Sequence, residues 1–314
     1  MEWKQIKTLF ILCFLVLDVY LLFMFFDKQE DWDFGFESPD KSTLEQELES
    51  ENITISADLP NKELKESYIT AGKKTFTKDD LNYFNTLENQ QVNVIDETFI
   101  LSRFKDPVKL PEKANGDLIN ELVKSRILLP GNYTFSSWNK SMNVLIFFQQ
   151  KKDRSIYYNQ HGIVLVYLND DNEMVFYTQT MLGKAESPSE EKTLVKPMDA
   201  IKVLYEGNRI WPGDDITGVK IGFHTKIPLP SGEQVFAPTW IITVNEDENF
   251  YVNAIENQVV KSDELTFLND AVSEIMKKVQ NLPDESDIKD YVLDYINENI
   301  SSANKRSEAN DDAF

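Results

Sequence analysis

The sequence predicts an α+β protein: an N-terminal transmembrane helix followed by two tandem, related helix-plus-antiparallel-sheet domains. Three observations lead there. Residues 8 to 26 read TLFILCFLVLDVYLLFMFF, a 19-residue apolar run with one charge. From Tyr133 the apolar pattern turns to period two in closely spaced segments. A helix-like segment precedes two such blocks, once at Gly116 to Arg126 and again from Pro197.

The apolar run comes first in the chain. At about 1.5 Å per helical residue it spans roughly 28 Å, one bilayer core. A signal peptide has a shorter apolar core and small residues at its cleavage site. Here the run ends in Phe23-Met24-Phe25-Phe26 and continues Asp27-Lys28-Gln29-Glu30, so an uncleaved anchor is expected. Lys4 and Lys7 precede it against the single acid Glu2. Basic flanks favour the cytoplasmic side, which places residues 1–7 inside and the remainder outside. No later segment is long and apolar enough for a second crossing.

Asp18 sits mid-span, where a carboxyl costs on the order of 2.5–3.5 kcal/mol on insertion scales. One reading is a contact with another transmembrane helix through the face shared by Ile11, Phe14, Leu15, Asp18, Leu21, Leu22 and Phe25. The other is a protonated, lipid-facing Asp tolerated by very apolar neighbours.

Charge is unevenly spread over a net −21. Residues 27 to 51 carry ten acids against two bases, and residues 281 to 314 nine against three. Such a surface repels nucleic acid and anionic headgroups, so nucleic-acid binding is not expected. The only cysteine, Cys13, lies inside the span, which removes disulfides and thiolate chemistry from the outer region. HExxH, GxSxG, Walker A and GxGxxG motifs are absent. The two histidines, His161 and His224, read as structural or exposed, and Asp170-Asp171 and Asp214-Asp215 read as turns. No catalytic residue, metal or cofactor is expected.

Residues 27–58 form an acidic stalk with a short helix at Thr43 to Ser50. The first outer domain, 59–183, opens with a helix from Thr77-Lys78-Asp79-Asp80 to Leu87. Asn93 to Phe104 reads as one strand. Gly116 to Arg126 reads as a helix with Leu118, Ile119, Leu122 and Val123 on one face. Strands at Tyr133–Ser137, Met142–Gln150, Gly162–Leu168 and Met174–Met181 predict an antiparallel meander. The second domain, 193–280, starts with a helix from Pro197 to Glu206, with Pro in its first turn and Gly207 at its end. An amphipathic strand follows at Val219–Ile227, then one at Val235–Val244 whose Pro238 implies an edge or a bulge. A hairpin turns around Glu256-Asn257. Ser262 to Val279 is a further helix. Residues 281–314 read as an acidic helix, Asp287 to Ile300, and a disordered tail.

Two stretches carry a family resemblance. MEWKQIKTLFILCFLVLDVYLL resembles the N-terminus of the YycI (WalI) family. Ile216-Thr217-Gly218-Val219-Lys220-Ile221-Gly222-Phe223, then Ala237-Pro238-Thr239-Trp240 and Tyr251-Val252-Asn253-Ala254, resemble that family's C-terminal domain. The resemblance spans about residues 1 to 280. It implies a single-pass membrane protein of low-GC Gram-positive bacteria with a pair of related α+β domains. It further implies a hetero-oligomeric regulator that works with YycH on the sensor histidine kinase YycG (WalK), which controls cell-wall metabolism. Contact would run through transmembrane helices, with external domains pairing with YycH. PTW and YVNA also occur in PepSY-type modules, so the alternative is an anchored PepSY-like binding module. Pro238, Thr239, Trp240, Tyr251 and Asn253 read as core or partner surface, with Trp240 and Tyr251 expected to pack across adjacent strands.

Overall fold

A computed structural model describes residues 3, 5, 7, 12, 14–22, 41–111, 113–228 and 232–300. It falls into two compact units, residues 1–54 and 55–314. In the first, residues 14–22 are helical and exposed, and α1 (Lys41–Ser50) buries Leu44 and Leu48. Among the described residues no helix is long and apolar enough to cross a membrane. Ile11, Phe25 and the expected tail 301–314 lie outside the described residues, as does the stalk up to residue 40.

The second unit is built on a large, mostly antiparallel sheet. In chain order the strands are β1 (Thr54–Ile55), β2 (Lys65–Glu66), β3 (Ile69–Ala71), β4 (Gln90–Ile95) and β5 (Phe99–Lys109). After them come β6 (Tyr133–Asn139), β7 (Val144–Lys151), β8 (Arg154–Tyr157), β9 (Ile163–Leu168) and β10 (Glu173–Thr180). The last are β11 (Lys192–Thr193), β12 (Asp215–Pro228), β13 (Gln234–Val244), β14 (Glu248–Asn253) and β15 (Gln258–Val260), and of all these β2 and β11 pair with each other in a separate two-stranded sheet. The helices are α2 (Lys78–Leu81), α3 (Gly116–Lys124), α4 (Pro197–Glu206), α5 (Glu264–Gln280) and α6 (Asp287–Tyr295).

The sheet order is β15-β14-β13-β12-β8-β7-β9-β10-β5-β4. The two expected domains therefore share one sheet. They join through a parallel pair, Phe223 and His224 of β12 against Ile156 and Tyr157 of β8. Gly222 makes the close approach possible. A Cβ there would stand 2.7 Å from a Tyr157 ring carbon and 2.9 Å from the Ser155 carbonyl oxygen.

Both faces of the central strands are covered. Leu145, Phe147, Val164, Val166 and Tyr177 pack with Ile119 and Val123 of α3. On the other side Ile146, Phe148, Leu165, Tyr167 and Phe176 pack with α5 and α6, joined by Ile241 and Tyr251 of the second half. This explains why β7 and β9 read as continuous apolar runs rather than alternating ones: a strand with no wet face has no polar side to show. Helix α6 is thus part of the core, with Ile288, Val292, Tyr295 and Ile296 buried and the Tyr295 hydroxyl donating to the Leu168 carbonyl at 2.5 Å.

Two local expectations are corrected. The single strand at Asn93–Phe104 is a hairpin of β4 and β5. Three residues, Asp96 to Thr98, connect the paired Ile95 and Phe99, and Asp96 and Glu97 both take positive φ, 49° and 55°, to turn the chain back. Pro238 lies in an interior strand, not at an edge, and the register there is regular against Phe223. It fits because β3 pairs with β13 only up to Phe236 and β14 only from Thr239, so a residue without an N–H falls between them.

Candidate functional site

The motif residues gather where β13 meets β14. Thr239 pairs with Asn253, Trp240 with Val252 and Ile241 with Tyr251. Directly paired residues share a face and neighbours alternate, so Trp240 and Tyr251 point to opposite faces. The expected packing of one on the other does not occur. Trp240 is 1% exposed, and its indole N–H donates to the Val195 carbonyl at 2.8 Å, just ahead of α4. The Thr239 hydroxyl, fully buried, donates to the Ala237 carbonyl at 3.0 Å. The Pro238 carbonyl accepts from the Ala254 N–H at 2.8 Å. The Asn253 side-chain oxygen accepts from the Ile255 and Glu256 N–H groups and shapes the following turn. These four hold the backbone of this corner of the sheet.

Tyr251 faces the other way, into a groove of about 670 Å³ between the β14–β15 edge and the start of α5. His224 of β12, Tyr158 and Ser262 meet it there. His224 Nδ1 lies 3.1 Å from the Thr225 carbonyl, so that nitrogen carries the proton and donates. Nε2, 2.7 Å from Ser262 Oγ, is then the acceptor of the serine hydroxyl. Burial pushes the His224 pKa down, which keeps the ring neutral. Tyr158 is held with φ +50°, costly for a tyrosine, by edge-on contacts with Phe148, Tyr251 and Phe267. Burial pushes its phenol up to about 12, and the Tyr251 phenol is raised further, again by burial first. Both stay protonated.

Of the expected transmembrane face, Phe14, Leu15, Asp18, Leu21 and Leu22 are helical and exposed. Ile11 and Phe25 lie outside the described residues. No group of three or more His, Cys, Asp or Glu among the described residues could hold a metal ion. The acidic pairs act in turns: the Asn169 side chain accepts from the Asp171 N–H, and Asp214 accepts from the Trp211 N–H at 2.7 Å. Sequence reasoning missed the groove, whose residues lie far apart in the chain. Tyr158, directly after β8, was its one visible trace.

The family model described as "YycI protein" matches residues 36–255, more than half of the chain. The protein belongs to the YycI family. Membership gives it a regulatory role in the YycG two-component system, and the family is not a known family of enzymes. No curated protein matches the sequence. Two solved structures are similar in part. An uncharacterized protein from Eubacterium rectale aligns at 7% identity and TM-score 0.38, over 68% of this chain and 91% of that one. YycH from Bacillus subtilis aligns at 15% identity and TM-score 0.37, over 60% of this chain and 52% of that one. The family match spans both halves of the shared sheet and ends before α5 and α6.

Proposed function

We propose that this YycI-family chain is a single-pass membrane protein, N-terminus cytoplasmic and the rest extracytoplasmic, that regulates the sensor kinase YycG without itself catalysing a reaction. It acts in a hetero-oligomer with YycH. The observation that carries this reading is the family match, and the 19-residue apolar run of residues 8–26 supports the membrane part. A regulator need only favour one kinase state. A differential contact of about 1–3 kcal/mol changes that equilibrium roughly five- to 150-fold. Asp18, the one charge in the run, is the residue best suited to make such a contact within the bilayer, where a polar group is stabilised by a partner helix. Reconstitution tests the proposal. The kinase is placed in proteoliposomes with YycH, with and without the full chain, and its autophosphorylation rate is measured. A change in either direction on adding the chain supports it. An unaltered rate at saturating chain contradicts it.

A further inference from the structure

We propose that the groove beside β14 receives an extended, basic peptide segment of a partner protein, added as a strand to the open part of the sheet edge. This surface is distinct from the transmembrane face, and the inference stands whether or not the kinase reading does.

The first observation is the edge. β15 pairs with β14 only over Tyr251–Asn253. Among the described residues no strand pairs with Glu248, Asn249 or Phe250 on the side away from β13. Three residues of unpaired strand edge beside a groove are a template for strand addition.

The second observation is what the groove offers a ligand. The Ser262 hydroxyl is committed to His224 Nε2, so its oxygen presents only acceptor lone pairs. Glu248, Asp263 and Asp270 line the same groove and are acceptors too. Its aromatic rings, Tyr158, Phe250 and Phe267, suit an ammonium or guanidinium lying over a ring. Arg209 and Lys261 are the cations present, outnumbered by the acids, and the chain's net charge of −21 disfavours an acidic partner. Donor-rich, cationic side chains on an extended backbone answer all of these features.

A nucleophilic reading of Ser262 does not hold. The first turn of α5 is occupied by the Asp263 carboxylate, which accepts from the Thr266 N–H at 2.6 Å. An acyl-transfer oxyanion beside it would meet a negative charge rather than free donors.

The test uses the full chain in detergent and two labelled octapeptides, alternating lysine–valine and alternating glutamate–valine, read by fluorescence polarisation. The lysine peptide should bind and the glutamate peptide should not. Glu248→Lys with Asp270→Lys should weaken the lysine peptide at least about tenfold. Glu121→Lys with Glu190→Lys, an equal charge change outside the groove, should weaken it less than about twofold. A lysine peptide N-methylated at alternate residues, which cannot complete a ladder, should lose binding to the unaltered chain. Equal weakening by the two double variants, or undiminished binding of both N-methylated registers, would overturn the proposal. The N-methyl comparison decides even if the groove variant fails to fold.

Discussion

Substituting Gly222 by alanine probes the joint between the two halves of the sheet. The added Cβ would stand 2.7 Å from Tyr157 Cε2, 2.9 Å from the Ser155 carbonyl oxygen and 3.1 Å from Ile241 Cδ1. The tyrosine ring is packed against Phe148 and Tyr251, with centroids at 5.2 and 5.5 Å, so it has little room to swing. The carbonyl belongs to backbone beside the parallel β8–β12 pair and moves only if that pair opens. Overpacking of this kind costs about 1–3 kcal/mol, and rigid neighbours place Gly222→Ala near the upper end. With a urea slope of about 2–3 kcal/mol per molar, the midpoint should fall by roughly 1 M. Gly131→Ala is the control, because a Cβ there meets nothing within 4 Å. Its midpoint should stay close to wild type. Urea unfolding of the full chain, followed by tryptophan fluorescence and circular dichroism, makes the measurement. Unfolding should be one coincident transition for both halves. An unchanged midpoint in Gly222→Ala, or two separate transitions in the wild type, would refute the shared sheet.

Three further outcomes follow from named contacts. Trp240→Phe keeps an aromatic ring but loses the indole bond to the Val195 carbonyl and leaves a cavity where the larger indole was buried, and should cost about 2–4 kcal/mol in chemical denaturation. Deleting residues 287–314 removes Ile288, Val292, Tyr295 and Ile296 from the core. At about 1.5–3 kcal/mol each this approaches the whole stability of a domain, so the shortened chain should bind a hydrophobic dye or precipitate. His161 is pushed down to about 4, first by burial and then by the charges of Lys73 and Lys278. In the unfolded chain it titrates near 6.5, so its contribution to stability is full above about pH 6.5 and is lost as pH falls toward 4. His161→Gln should show a shallower decline over that window in urea titrations at successive pH values.

What was legible in the sequence follows from which faces are wet. α4 and α5 each bury one stripe, such as Ala200, Ile201 and Leu204 in α4, and periodicity found them to within a few residues. The β4–β5 hairpin was hidden because its turn is Asp96-Glu97-Thr98, without the glycine that marks such turns. β8 is four residues long and half its side chains are buried, too short a pattern to register, yet it carries the parallel pair with β12 that joins the two halves. One missed strand therefore turned one sheet into two expected domains. The motif residues were visible as types, but the alternation that separates Trp240 from Tyr251 depends on a register set by the β13–β14 turn. The groove could not be read at all: Tyr158, His224, Tyr251 and Ser262 belong to four separate segments and meet only after the sheet closes on α5.

The most direct test of the regulator reading is a membrane pull-down of the full-length protein beside its Asp18→Leu form, identified by mass spectrometry. The account predicts recovery of a sensor kinase and a YycH-like protein with the wild type, and clearly less of both with Asp18→Leu while the outer region stays folded. Recovery of neither from wild type, or equal recovery by the two forms, would contradict it. The first result would turn the reading toward an anchored binding module, and the second would remove Asp18 from the contact.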